Sequence, residues 1–253
     1  MKTLKKQIKW RRDKKALFIR DCKNSLDLKL PLENEPFLKK LFCGVNFEEL
    51  DETEKLIFLE FEKLGFLADL ELRELSSENF SQGMDILDSE LKVERIRDSD
   101  FLKNKFEKCP EFFIGIYLES EIVGIICGFH RDDYLLISEI AVDSRFQKRN
   151  FGKKLVMKFE EVGFKKYDKI NVGALDNSIE FYKSLGYNPF LLIQFEKGVY
   201  CEGDFSNFEV INSSDSSVEL KIKNCNLGEL QRLRNIYQKA NLQYIFVKRV
   251  SKS

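Results

Sequence analysis

The chain has 253 residues, 43% of them hydrophobic and 33% charged, enough for one large domain or two modest ones around a packed core. Its 42 basic side chains balance 42 acidic ones, which argues against a chain that binds nucleic acid or a membrane surface along its whole length and leaves only local patches. No apolar run reaches the roughly 18 residues of a membrane span, and residues 2–15 are too densely charged for the apolar core of a signal peptide.

In chain order, Ile8–Trp10, Ala16–Ile19 and Leu26–Leu30 read as three short strands, the last with strict alternation. Helices are expected over Pro36–Phe42 and Asp51–Leu64. Asp51 with Glu54 three residues later is a capping signal, Ile57, Phe61 and Leu64 share a face, and Gly65 closes the helix. On this pattern residues 1–68 form a separate small domain.

A second domain is expected over 69–200. It holds strand Asp69–Leu75, a helical stretch from Glu78 to Arg97, strand Phe112–Leu118, a tight turn at 119–121 and strand Ile122–Phe129. The apolar strand Tyr134–Val142 then runs into a polar loop that opens a helix over Phe151–Phe164, with Leu155, Val156, Phe159 and Val162 on one face. Strand Lys169–Ala174 and a capped helix from Asp176 ending at Gly186 follow, then strand Phe190–Phe195. After a Ser-, Asn- and Asp-rich linker at 203–217 come strand Val218–Lys223, a helical stripe of Leu227, Leu230, Leu233, Tyr237 and Ala240, and strand Tyr244–Val247. Residues 201–253 thus read as a β-α-β extension of the second domain.

Six cysteines are scattered without a C-x-x-C pair, which points to free thiols in a reducing cytoplasm and away from a zinc site or redox dithiol; no metal is expected. His130 is the single histidine, so any triad would have to use it, and the end of a strand is more often a structural place for histidine.

The strand–loop–helix junction at 134–154 points loop N–H groups and the positive end of a helix at one spot, which suits a pyrophosphate. Its hexamer Gln147-Lys148-Arg149-Asn150-Phe151-Gly152 resembles the Gln/Arg-x-x-Gly-x-Gly/Ala signature of GNAT-type N-acetyltransferases, departing at Asn150. Asn is the non-glycine residue that best tolerates the left-handed backbone the family glycine supplies. One strand later, Asn177-Ser-Ile-Glu-Phe181-Tyr182-Lys-Ser-Leu185-Gly186-Tyr187 resembles the family motif Asn-x-x-(small)-x-x-Phe-Tyr-x-x-x-Gly-Phe. Two motifs in the right order are harder to obtain by chance than either alone.

The resemblance implies an α/β (α+β) fold with a central mixed, mostly antiparallel, splayed sheet, and acetyl-CoA or a longer acyl-CoA as donor. It implies that the backbone of Ile140, Ala141 and Val142 lies along the pantetheine arm, that Gln147, Lys148, Arg149, Asn150, Phe151, Gly152 and Lys153 surround the pyrophosphate, that Asn177 contacts the arm or its amide, and that Tyr182 protonates the thiolate. Lys154 adds to the cationic charge there. From the residues alone, Glu139 interrupts an apolar strand, where a desolvated carboxylate with a raised pKa suits proton abstraction. It serves equally well as a carboxylate facing water or an Arg, and many family members use ordered water as the base.

The three strands and helices of 1–68 resemble, in pattern, the winged-helix-like module that binds leader peptides in enzymes that modify ribosomal peptides. A plain cap over the catalytic domain is the competing reading. DNA binding is disfavoured, because the helix that would enter the groove carries Glu52, Glu54, Glu60 and Glu62 against Lys55 and Lys63. The function implied is direct attack of an amine, on a peptide or a small molecule, upon the thioester. The alternative is an acyl-CoA-binding regulatory protein that has lost catalysis.

Overall fold

The computed structural model describes residues 1–91, 99–222 and 225–250. It contains strands β1 (Lys2–Leu4), β2 (Ile8–Arg12), β3 (Leu17–Asp21), β4 (Leu26–Leu30), β5 (Leu67–Glu74), β6 (Phe113–Leu118), β7 (Glu121–Arg131), β8 (Tyr134–Val142), β9 (Lys169–Gly173), β10 (Asn188–Phe195), β11 (Glu209–Ser214), β12 (Ser217–Lys221) and β13 (Ala240–Arg249). The helices are α1 (Glu35–Cys43), α2 (Glu52–Lys63), α3 (Phe80–Leu91), α4 (Ser99–Lys108), α5 (Phe151–Gly163), α6 (Ile179–Ser184) and α7 (Leu227–Ile236). The fold is mixed α/β, as expected. The chain divides into two compact units, 1–126 with 140–159, and 127–139 with 160–253; β7, β8 and α5 contribute to both.

In the first unit β2, β3 and β4 make a small antiparallel sheet in register Trp10↔Ile19↔Leu28. Its inner face packs with α1 and α2 around Leu17, Leu38, Phe58 and Phe61. Helix α2 starts where the sequence indicates: Asp51 accepts from the Glu54 N–H at 2.8 Å, and the Glu54 carboxylate accepts from the Asp51 N–H at 3.3 Å, closing a capping box. Strand β1, three residues too short to show periodicity, pairs antiparallel with β5 (Thr3↔Ala68). It ties the N-terminal segment to the sheet, where β5 pairs with β6 in turn. The helical stretch expected to reach Arg97 is α3 up to Leu91, and its remainder lies outside the described residues.

In the second unit the strand order is β7-β8-β9-β13-β10-β12-β11. There β8 pairs parallel with β9, Leu135–Ile137 against Ile170–Val172. The tail forms more than a β-α-β unit. Strand β11 lies in the stretch read as a linker, and β13 runs ten residues between β9 and β10, with Phe246 facing Val172 on one side and Pro189 on the other. The supposed linker is anchored by Phe205, fully buried against Phe195 and Tyr237. A ring of that size among polar neighbours outweighs their turn preference.

Candidate active site

Strand β8 alternates half-buried and buried side chains along its whole length. Glu139 therefore shares a face with Leu135, Ile137 and Ala141 and is 5% exposed. Ile140 and Val142 point the other way.

After β8, Asp143 caps a single 3₁₀ turn by accepting from the Arg145 N–H, and its carboxylate also pairs with the Arg145 guanidinium, holding the acid below its usual range. Gln147 donates to the Val142 carbonyl at 3.0 Å and to Glu90, whose other oxygen accepts from the Ser144 N–H. The Val142 carbonyl is thus already engaged. The chain then takes left-handed geometry at Lys148 (φ 63°) and again at Asn150 (φ 57°) before α5 begins at Phe151. Asn150 adopts the backbone that the family glycine would supply. As first-turn donors, the N–H groups of Phe151, Gly152 and Lys153 have no intrahelical acceptor and gather at the positive helix end.

The loop cations divide into two pairs. Lys148 and Lys153 are exposed. Arg149 is only 3% exposed; its guanidinium donates to the Leu4 carbonyl at 2.8 Å and lies 4.5 Å from the Phe42 ring centre and 5.5 Å from that of Phe146. Lys154 donates to the carbonyl of Gly44, and the Asn150 amide to the Cys43 sulfur at 3.4 Å. Gly44 has φ 89°, and a Cβ there would meet Leu70 at 2.5 Å, so the carbonyl that holds Lys154 sits on a backbone only glycine fits. Burial lowers the pKa values of Arg149 and Lys154 and raises that of the Cys43 thiol. Cys43, Phe42 and Leu4 escaped the sequence reading because nothing local marks a partner more than 100 residues away.

The other candidates lie in the second unit. Tyr182, on α6, is 3% exposed, with its ring edge-on to Phe181 and Tyr187 and tilted against Phe246. Burial raises its phenol pKa, so at neutral pH it carries its proton. Gly186 ends the helix at φ 80°. The N-terminal end differs from expectation: Ser178 occupies the cap position without a capping bond, its hydroxyl donating instead to the Leu175 carbonyl at 2.8 Å, and Asn177 is exposed in the preceding 3₁₀ turn. That turn is held by Asp176, which Arg234 of α7 grips with two bonds of 2.7 and 3.1 Å. An i,i+58 pair has no signature in sequence. The structure therefore groups Ile140–Val142 with Gln147–Lys153 in one unit and Glu139, Asn177 and Tyr182 in the other.

The acetyltransferase (GNAT) family model matches residues 70–187. No curated protein matches the chain. Among solved structures, the chain is similar to a Pyrococcus horikoshii protein at 18% identity over 52% of this chain and 49% of that one, TM-score 0.41. It is similar to Ard1 from Thermoplasma volcanium at 16% identity, covering 60% and 95%, TM-score 0.43. Similarity to the ribosomal-protein-S18-alanine N-acetyltransferase from Escherichia coli is 12%, covering 73% and 96%, TM-score 0.47. The chain spans about half the length of the Pyrococcus protein.

Proposed function

From the match of residues 70–187 to the acetyltransferase (GNAT) family model, we propose that the protein is an N-acyltransferase that moves an acyl group from acetyl-CoA, or a longer acyl-CoA, to an amine. The observation that carries this reading is the loop between β8 and α5. Left-handed Lys148 and Asn150 turn the chain so that α5 opens with N–H donors that have no intrahelical acceptor, while the Asn150 side chain is engaged by Cys43. Such a cradle fits a pyrophosphate by its backbone, with Lys148 and Lys153 as the exposed cations.

Bound acetyl-CoA supplies the activated thioester. Peptide groups of Ile140–Val142 would line the acyl arm and could polarise a carbonyl through N–H donors. Tyr182 Oη, kept protonated by burial, supplies a proton to a leaving sulfur. Glu139, buried on β8, is a candidate to take the amine proton, directly or through ordered water, and Asn177 stays exposed to meet the arm. No acyl-enzyme is invoked, since neither motif contains a cysteine.

The acceptor is a small amine or a peptide. What supports a peptide is the three-stranded sheet, whose outer strand β2 carries Lys9, Arg11 and Arg12 and suits strand addition by an acidic segment. The scattered cysteines support a cytoplasmic setting. No helix among the described residues is long and apolar enough to cross a membrane.

A second reading, an acyl-CoA-responsive protein without turnover, draws on the engagement of Arg149 and Lys154 by the N-terminal segment. Calorimetric titration with acetyl-CoA, a long-chain acyl-CoA and free coenzyme A tests both. The expected Kd is on the order of 10⁻⁶ to 10⁻⁴ M, abolished by Gly152→Asp. Unchanged affinity in that variant would sink the cradle. Binding without turnover on any amine would favour the regulator.

A further inference from the structure

The second unit carries a groove of about 770 Å³ on one face of its sheet, within the range of small-molecule sites. Register orders its lining into rows across the strands. Lys169 of β9 faces Arg249 of β13, and Arg131 joins them at the same end of the groove. The next row holds Leu136, Asn171, Val247 and Asn188, and the one after it Gly173, Ile245 and Phe190. Successive rows are about 7 Å apart, two residues along a strand.

Two observations mark this as a site for a ligand of definite chemistry. Asn171 is 9% exposed, stands on the groove face between two aliphatic side chains, and its amide oxygen is buried without a hydrogen-bond partner. A buried acceptor left unpaired is costly, so a donor is wanted there. The charge at this end is cationic on balance as well. Arg131, Lys169 and Arg249 meet the lining acid Glu219 and, beside the lining, Asp133, which interacts with both Lys169 and Arg249, while Lys248 turns its ammonium away to Glu160 and the Leu185 carbonyl. Lys169 is steadied by Asp133 at 3.1 Å and lies 4.9 Å from the centre of the Tyr134 ring. This face is distinct from the one bearing Tyr182, which packs on Phe246, whereas the groove is built from Ile245 and Val247.

The order cation, amide acceptor, apolar floor is the order of a carboxylate, an adjacent N–H and an aliphatic side chain. We propose that this groove binds an apolar α-amino carboxylate, with its carboxylate on Lys169 and Arg249, its N–H on Asn171 Oδ1 and its side chain over Ile245 and Phe190. A free amino acid and its N-acylated derivative share that chemistry. The site stands on the groove alone; under the transferase reading, the first is an acceptor and the second a product.

The test is calorimetric titration of the full chain with L-leucine and with N-acetyl-L-leucine, using leucinol and N-acetyl-leucinamide as partners lacking the carboxylate. Saturable binding of one of the first two is expected, at least about tenfold tighter than its carboxylate-free partner, since charge-assisted bonds are the strong ones. Arg249→Met, at the groove rim, should weaken that binding at least about tenfold, and Asn171→Val several-fold, with far-UV circular dichroism unchanged. Saturation by L-leucine alone assigns the groove to free amino acids, and by the acetyl compound alone to acylated ones. If neither saturates in protein that binds acetyl-CoA, the groove assignment falls while the transferase reading stands. Binding that survives Arg249→Met undiminished places the ligand elsewhere and overturns the proposal. Leucine-type binding without any coenzyme binding retains the groove and removes the transferase.

Discussion

Replacing Arg149 by Met separates two roles that a cation in a phosphate loop can have. In the structure the guanidinium is a strut: it satisfies the Leu4 carbonyl of β1 and packs between Phe42 and Phe146. Methionine keeps much of the apolar stem and loses the head. The charge-assisted bond is worth about 1.5–3 kcal/mol and leaves a buried carbonyl unpaired when removed. The ring contacts add about 0.5–2 kcal/mol. Relief of the guanidinium's own desolvation, visible in its lowered pKa, takes part of this back. A net loss of about 2–3 kcal/mol follows, which at a slope of roughly 2–3 kcal/mol per molar urea lowers the midpoint by roughly 1 M. The acetyl-CoA Kd should stay within about threefold, because the loop presents backbone donors whichever side chain stands at 149. The opposite result, an unchanged midpoint with Kd raised tenfold or more (about 1.4 kcal/mol), would refute the strut and make Arg149 a phosphate ligand.

Tyr182→Phe should lower kcat by about 10²-fold or more while the KM for acetyl-CoA moves little, measured by thiol release; equal loss in binding would make Tyr182 a packing residue. Alkaline stability follows from the buried phenols. Burial raises Tyr182 and Tyr187 and pushes Tyr244 up to about 12, so between about pH 10 and those values the folded state binds more protons than the unfolded one. Their contribution is complete below about pH 10 and falls as pH rises through the folded values, so urea midpoints should decline from that pH onward, and a flat profile would contradict the burial. Asp51→Ala should cost about 1 kcal/mol by opening the capping box of α2, read as a lower urea midpoint with acetyl-CoA binding retained.

The elements legible in sequence are those whose signal is local. Strand β8 falls on Tyr134–Val142 because an apolar run is closed by Asp143, a turn former; α2 follows from Asp51 and Glu54; Gly186 marks the end of α6. The left-handed turn at Asn150 could be anticipated from the residue type, whereas the one at Lys148 could not, since lysine has no preference for it. Strand β1 carries too few residues for a period, and β11 is polar enough to read as linker. The site was legible as a set of positions but not as a set of contacts. Arg149 and Lys154 look like a phosphate-facing charge in sequence, and only the arrival of Leu4, Cys43 and Gly44 from over 100 residues away gives them other partners.

The place of β13 bears on how the molecule is made. Every other strand described in the second unit precedes it in the chain, yet among the described residues β9 and β10 are joined through it, in ladders running from Ala240 to Arg249. Until those residues have left the ribosome, the two strands have no common partner and expose open edges of the kind that recruit foreign chains. Synthesis from the N-terminal end therefore leaves this sheet divided until its centre is delivered last. Interrupting translation before residue 240 should yield an aggregating fragment rather than a smaller folded one.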